Sequence, residues 1–387
     1  MKVLFVHNFY QIAGGEDAVL KQEMDLLSAD HDVLEYTVSN DNISCFFSKV
    51  LTLLRVPFSL KSYRQFKQFL TVNKPDVVHV HNYFPLLSPS IFYACKKLNI
   101  PVVHTLHNYR AVCPTALLMH KGKINEQSIT HNVWWTVRQK VYKDSLLGSF
   151  ALACMVQLHK RLGTWKSKVD VFIALTEFAK AKYVEAGWPK HKIIVKPNFI
   201  IDPFDGAKSI TKTGGYALFV GRLSEEKGID VLLNAWANIN LPLKLIGTGP
   251  FKGVLKNNTQ NNIEYLGLKD KPEVLELIKN ADFVVMPSTW YEGLPMVLIE
   301  SFCCGTPALV SNIGSMQEVV TAEVSGLHFE VGNSSDLQNK VQWIINNPAE
   351  IKRFGCNARN EFLNKYTSDI NKYQLLNIYQ QAINGVS

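Results

Sequence analysis

Residues 282–300 read Asp-Phe-Val-Val-Met-Pro-Ser-Thr-Trp-Tyr-Glu-Gly-Leu-Pro-Met-Val-Leu-Ile-Glu. The first five form a short apolar run of the kind that suits a parallel strand buried on both faces. Pro287 ends it. Pro295 is well placed to be the first residue of a helix. That helix is apolar through Met296, Val297, Leu298 and Ile299, yet carries Glu300, whose carboxylate must face a cleft or find a partner. Glu292 lies in the loop just before. The segment is therefore a strand, a polar loop and a helix, and the loop amides of Gly293–Val297 with the helix N-terminus form a seat for an anion.

The same alternation extends in both directions. Tyr216–Val220, Leu243–Ile246, Ile263–Leu266, Pro307–Val310 and Gly326–Phe329 read as further strands, with helices such as Gly228–Ile239 and Pro272–Lys279 between them. Before them, Lys2–His7, Val33–Val38, Asp76–His81, Pro101–Leu106, Asp170–Leu175 and Lys192–Lys196 form an earlier series, with helices such as Glu16–Ser28 and Thr176–Ala186. A Pro- and Gly-containing stretch, residues 197–215, separates the two series. Two consecutive series predict an α/β protein with two Rossmann-like, doubly wound domains facing each other. The expected domains are residues 1–198, joined by a returning C-terminal helix 369–387, and residues 199–368. A chain of 387 residues fits two domains of ordinary size.

Ligands of such sheets bind outside the carboxyl ends of the strands, so the residues after each strand come first. Gly221-Arg222-Leu223-Ser224-Glu225-Glu226-Lys227-Gly228 follows Tyr216–Val220 and can place two cations near one anion. Gly247-Thr248-Gly249-Pro250 lets the backbone approach a ligand or simply makes a tight turn. Gly267-Leu268 follows the next strand. An anion seat, two cations and two carboxylates suit the diphosphate, sugar hydroxyls and ribose hydroxyls of a nucleotide-sugar.

Gly221-Arg222 with Lys227-Gly228, Gly247-x-Gly249-Pro250, and Glu292 with Glu300 resemble the motif series of glycosyltransferase family 4. Val6-His7-Asn8-Phe9-Tyr10 followed by Gly14-Gly15-Glu16 is similar to that family's glycine loop. His104-Thr105-Leu106-His107-Asn108-Tyr109-Arg110, Cys113-Pro114 and Lys196-Pro197-Asn198 resemble patterns of its capsule and exopolysaccharide members. The resemblance spans roughly residues 1 to 366 and implies a GT-B architecture, retention of anomeric configuration and no metal or other cofactor. By residue, it implies that Arg222 and Lys227 bind the diphosphate and stabilise the leaving group. Glu292 would orient the donor sugar, Glu300 would bind ribose, and His107 would contact sugar or phosphate. Gly14, Gly15, Gly221, Gly247, Pro250, Leu268, Gly293, Leu294, Pro295, Met296 and Val297 would complete the donor site. A front-face mechanism is implied, in which the leaving phosphate helps deprotonate the acceptor hydroxyl.

Asp30-His31-Asp32, the one Asp-x-Asp sequence, precedes a strand and reads as a solvated turn. His79, His81 and His104 read as core or strand-end residues, with His81 and Asn82 as weaker acceptor candidates. The seven cysteines include no CxxC pair and read as reduced packing residues.

Charge divides unevenly. Residues 1–198 hold 25 Lys/Arg against 14 Asp/Glu (+11), and the remainder holds 16 against 19 (−3). Cys45–Leu70 carries Lys49, Arg55, Lys61, Arg64 and Lys67 beside Phe46, Phe47, Leu51, Leu54, Phe58 and Phe66. Trp134–Lys168 sets Arg138, Lys140, Lys143, Lys160, Arg161, Lys166 and Lys168 beside Trp134, Trp135, Phe150 and Trp165. Such segments lie on anionic bilayers or pack as ordinary core helices. Nucleic acid is disfavoured because no binding motif is present.

No run is long or apolar enough for a signal or a span. The expectation is a cytoplasmic transferase, peripheral on the inner membrane face, acting on a lipid-linked saccharide. The alternatives are a sugar-nucleotide epimerase of the same fold and a degenerate sugar-nucleotide-binding module. A GxGxxG-type oxidoreductase lacks its motif. A glycoside hydrolase using Glu292 and Glu300 would leave the cations without purpose.

Overall fold

Near-continuous Val, Ile and Leu runs bounded by Gly, Pro and polar residues produce two six-stranded, wholly parallel sheets. The computed structural model describes residues 1–11, 14–40, 46–208, 214–256 and 261–385, the side chains of 46–50 excepted. Each strand expected from the sequence is present, with ends within two residues. Two compact units result: residues 1–120, 125–197 and 371–387, and residues 121–124 with 198–370.

The N-terminal unit contains β1 (Lys2–Phe9), β2 (Asp32–Ser39), β3 (Val77–Val80), β4 (Val102–Leu106), β5 (Val171–Ala174) and β6 (Ile193–Val195), in the order β2-β1-β3-β4-β5-β6. Helix α1 (Gly15–Ser28) follows β1, and buries Val19, Leu20, Glu23 and Leu27 at helical spacing. Val3 and Phe5 of β1, Leu20 and Leu27 share one core with Leu375, Ile378, Tyr379 and Ala382 of the C-terminal helix Ser368–Asn384. The strand order reverses between β1 and β3. Ligands of open parallel sheets bind where the order reverses, so this unit's crevice lies beyond His7 and His81.

The C-terminal unit contains β7 (Ala217–Val220), β8 (Leu243–Ile246), β9 (Ile263–Gly267), β10 (Phe283–Met286), β11 (Ala308–Ser311) and β12 (Gly326–Phe329), in the order β9-β8-β7-β10-β11-β12. Ala217, Phe219, Leu245, Phe283, Val285 and Leu309 of the sheet pack with Leu232 and Trp236 of a flanking helix. Here the reversal falls between β7 and β10, the two strands followed by the Arg222–Lys227 loop and by the Glu292 loop.

The stretch expected as a linker is tied down along its described part. Asp202 pairs with Arg359, 1% exposed, at 2.7 Å, and the Ile200 amide bonds the Tyr366 carbonyl at 3.1 Å. Residues 209–213 of that stretch, 386–387 of the terminal helix, Cys45, and the side chains of Phe46, Phe47 and Lys49 lie outside the described residues. Four of the six described cysteines are buried, whereas Cys154 is half-buried and Cys356 exposed. Cys303 is the last residue of the helix Met296–Cys303 and Cys304 caps it.

Candidate active site

Strand β7 delivers Gly221 and Arg222, a single turn Glu225–Lys227 follows, and Gly228 caps the helix Ile229–Trp236. Gly228 has φ +68°, and a Cβ there would stand 2.0 Å from the Pro287 carbonyl oxygen. Only glycine lets the two loops at the reversal point close on each other. Gly247 and Gly249 serve the same end. A Cβ on either would strike the Gly221 or Leu223 carbonyl oxygen at 1.8 or 2.3 Å, and Leu223 N donates to Thr248 O at 2.9 Å. In this structure these glycines pack against the cation-bearing loop. Pro250 follows directly, and Leu268 is 71% exposed beyond Gly267.

The loop after β10 meets that cation loop. Lys227 Nζ lies 2.6 Å from Glu292 Oε1. The same oxygen accepts from Ser288 Oγ at 2.7 Å and from the Trp290 indole at 2.9 Å. Ser315 Oγ donates to the Glu292 carbonyl at 2.8 Å. Glu292 is 6% exposed, so three donors converge on one oxygen of a nearly buried carboxylate. Lys227 also lies over the Trp290 ring, 5.5 Å from its centroid. Arg222 instead pairs with Glu226, whose carbonyl accepts from the Thr289 amide at 2.9 Å. Burial pushes the Glu226 carboxyl up, but Ser224, its own amide and Arg222 outweigh it, and the group sits below the usual carboxylate range. Each cation expected to meet an anion therefore holds a carboxylate here.

Gly293, Leu294 and Pro295 lead into the helix Met296–Cys303. Pro295 caps it from outside, one residue earlier than expected, because its ψ of 116° is extended. The first amides of this helix, Met296 and Val297 among them, have no carbonyl within the helix to bond. Glu300 stands one turn on. It is half-buried, and its carboxylate forms no hydrogen bond or ion pair among the described residues. Burial raises its carboxyl, with Lys271 acting in the opposite sense. An under-partnered carboxylate thus lies one turn from the free first amides of the helix.

The N-terminal unit carries a second constellation at its own reversal point. Gly14 caps α1 and Gly15 opens it, with Gly14 N donating to Asp17 Oδ2 at 2.9 Å. Asp17 Oδ1 also meets His7 Nε2 at 2.7 Å. His107, at the end of β4, meets His81 Nδ1 through its Nε2 at 3.0 Å. Burial, then the neighbouring His81, hold its imidazole well below the usual range. His81 in turn faces Glu23 Oε2 at 3.3 Å, and Glu23 Oε1 accepts from Lys196 at 2.8 Å. Glu23, His79 and His81 converge closely enough to hold a metal ion. The Lys196 ammonium already supplies the counter-charge there. Asn82 donates to Asn8 O at 2.7 Å and to Glu16 Oε1 at 3.2 Å. His104 is a core residue, its Nδ1 on Val80 O at 2.8 Å. Asp30 and Asp32 pair with Lys372 and Lys2.

Sequence reasoning missed Ser288, Trp290 and Ser315, which fix Glu292, and Glu226, which holds Arg222. It also missed the Lys196–Glu23–His81 line. Only Glu23 carried a usable signal, as a carboxylate on the apolar face of α1.

Residues 202–361 match the family described as Glycosyl transferases group 1, and residues 23–202 match Glycosyltransferase Family 4. The chain is 25% identical over 382 residues to the uncharacterized glycosyltransferase MJ1178 of Methanocaldococcus jannaschii, covering 95% of this chain and 94% of that one. It is 26% identical over 286 residues to an uncharacterized 42.6 kDa protein in the cps region of Klebsiella pneumoniae, covering 70% and 66% of the two chains. In fold it matches Anabaena Alr3699/HepE, solved in complex with UDP, with a TM-score of 0.68 at 18% identity, covering 98% of this chain and 100% of that one. Its two parallel-sheet domains are of the GT-B class. The two family matches together run from residue 23 to residue 361, and the chain belongs to the group 1 glycosyltransferases of family 4.

Proposed function

We propose that this glycosyltransferase moves a sugar, with retention, from a nucleoside-diphosphate donor to a hydroxyl of a lipid-linked saccharide, during assembly of a surface polysaccharide. The observation that carries the donor assignment is the Lys227–Glu292 pair at the reversal point of the C-terminal sheet, beside the helix that begins at Met296. On donor binding, Lys227 and Arg222 turn from their carboxylates to the diphosphate. The amides from Gly293 to Val297 seat its oxygens, and Glu300 takes the ribose. Released from Lys227, Glu292 remains fixed by Ser288 and Trp290 and accepts from hydroxyls of the sugar. Two cations and a helix terminus supply the counter-charge that a metal would otherwise provide. UDP is the nucleotide bound in the fold neighbour, and a capsule-region relative supports a role in polysaccharide assembly.

The acceptor is taken to be membrane-borne for a physical reason. Leu51, Leu54, Leu146, Leu147, Phe150 and Trp134 are 44, 74, 55, 67, 50 and 39% exposed. They stand among Arg55, Arg138, Lys140 and Lys143 on the helices Phe46–Arg55 and Leu146–Arg161 and the segment before the latter. Phe66 and Trp165 of the same stretches are core residues, so only part of each stretch is available. Exposed apolar side chains in segments rich in cations suit the anionic inner face of the cytoplasmic membrane. Among the described residues no helix is long and apolar enough to cross it.

The test is a panel of UDP- and GDP-sugars, scored by thermal shift and by transfer to a lipid-linked acceptor, with and without excess EDTA. Stabilisation by one nucleotide class and EDTA-resistant transfer are expected. No shift with any nucleotide would overturn the donor assignment. Loss of transfer on chelation, restored by Mg²⁺ or Mn²⁺, would overturn metal independence.

A further inference from the structure

Behind His107 the N-terminal unit buries a line of ionisable side chains, Lys196, Glu23 and His81. Lys196 and Glu23 are each 1% exposed and His81 is 3% exposed. We infer that Lys196, Glu23 and His81 are positioning residues that fix the tautomer of His107, leaving its Nδ1 as an acceptor for a ligand hydroxyl. Proton positions follow from the fixed end of the line. The Lys196 ammonium can only donate, so Glu23 Oε1 accepts, at 2.8 Å. Glu23 as a carboxylate can only accept. Its Oε2 lies 3.3 Å from His81 Nε2, an ion-pair contact rather than an aligned hydrogen bond, and neither atom has a hydrogen-bond partner among the described residues, so the N–H and not the lone pair of His81 faces the carboxylate. His79 also approaches Oε2, at 3.9 Å, but its Nδ1 and Nε2 are taken by Tyr379 and Thr105 at 2.7 Å each. His81 therefore carries its proton on Nε2 and offers a lone pair at Nδ1. That lone pair lies 3.0 Å from His107 Nε2, which must then be the protonated nitrogen. His107 Nδ1 is left bare. It has no hydrogen-bond partner among the described residues, and His107 is only half-buried.

The opposite polarity would need a protonated Glu23 or a doubly protonated His81, and a charged His107 would lose its bare nitrogen. Burial alone would raise the Glu23 carboxyl, but Lys196, His81 and His79 hold it well below the usual range. The groups facing His107 are His81 from β3, Glu23 from α1, His7 from β1 and His104 from β4. Burial lowers both His7 and His104 to about 4, so neither adds a proton near neutrality. A neutral imidazole with a bare nitrogen accepts from O–H and gives nothing to a phosphate oxygen. Of the two contacts the family resemblance leaves open for His107, sugar or phosphate, the line selects a hydroxyl. The inference rests on the proposed glycosyl transfer only for which molecule carries that hydroxyl.

The test needs no substrate. The full chain, labelled with ¹⁵N-histidine, is examined at pH 7 by long-range ¹H–¹⁵N correlation of the imidazoles, with His81→Gln and His107→Gln used for assignment. His81 and His107 are both expected as the Nε2–H tautomer. Glu23→Gln should turn His107 into a mixture of tautomers. Because that change leaves Lys196 buried without its counter-charge, Glu23→Leu/Lys196→Met serves as the neutral counterpart, with the amide spectrum reporting its fold, and the same mixing is expected. A proton on His107 Nδ1, an imidazolium at pH 7, or a His107 tautomer unchanged in the folded variants would overturn the inference. Correct tautomers in a protein that binds no nucleotide-sugar would sink the donor assignment and leave the relay standing. Transfer activity with the wrong tautomer would do the reverse.

Discussion

Replacing Lys227 by Met separates what this cation does for the fold from what it does for the donor. In the structure it donates at 2.6 Å to a carboxylate whose side chain is 7% exposed, and is itself 17% exposed. Breaking a fully buried pair by removing one partner costs about 3–5 kcal/mol. Ser288 and Trp290 still bond the same oxygen in the variant, so the loss should fall to roughly 2–3 kcal/mol, a Tm decrease of about 5–10 °C for a unit of this size. The catalytic loss is separate. Removing one charge-stabilising donor from a developing anion costs about 2.7–4 kcal/mol, roughly a hundred- to thousandfold in turnover. Lys227→Met/Glu292→Gln parts the two effects. With both charges gone, the Gln side chain can still accept from Ser288 and Trp290, and most of the lost Tm should return while turnover stays low. Differential scanning calorimetry and steady-state transfer on the same preparations read both quantities. If Lys227→Met unfolds early yet turns over within about threefold of the parent, the lysine is a structural partner of Glu292 and the phosphate role is wrong.

Glu300→Ala should weaken binding of the free nucleoside diphosphate about tenfold to a hundredfold, the value of one hydrogen bond to a charged group, whereas Glu292→Ala should spare that binding and depress turnover. Calorimetric titration with UDP checks both, and equal losses would refute the split between ribose and sugar. Leu54→Asp/Leu147→Asp should abolish sedimentation with phosphatidylglycerol vesicles at low salt while UDP binding is unchanged, because both side chains are more than 60% exposed; vesicle binding that survives the change would move the docking face elsewhere. Glu16, held up to about 8 by burial and then by Asp17, against the lowering effects of Arg110 and Asn82, keeps its proton in the folded chain but loses it near 4.5 in the unfolded one. Its contribution to stability is therefore lost progressively as pH rises from about 4.5 to about 8. Glu16→Gln should flatten the fall in Tm over that window, and an unchanged slope would show that Glu16 titrates normally.

The fold was legible because central parallel strands buried on both faces are apolar along their length, as β5, β7 and β10 are; the edge strands β2 and β9 carry Glu35 and Glu264 and are only partly buried. The placement of Glu292 was legible for a related reason. The ends of β7 and β10 become neighbours only when the strand order reverses between them, and loops after strands are where such sheets bind ligands. What sequence could not supply was the partner of each charge. Lys227 and Glu292 are 65 residues apart, and nothing local distinguishes Glu292 from Glu226 as the carboxylate that receives the lysine. Gly247 and Gly249 are constrained by a neighbouring loop 26 residues earlier, whose carbonyl oxygens a Cβ at either position would strike, and that loop is not identifiable from the local sequence. The buried line behind His107 marks the same boundary more sharply. Glu23 sits on the apolar face of α1 at the spacing of Val19, Leu20 and Leu27, so its burial follows from helical periodicity. A buried carboxylate demands a cation, yet Lys196 stands 173 residues away after the sixth strand of the unit. Among the nine lysines and arginines of residues 151–198, its sequence neighbourhood does not single it out. Periodicity states that a charge is buried. Only the strand order, which brings the ends of distant strands to one crevice, states what neutralises it and toward which atom the resulting hydrogen-bond line is directed.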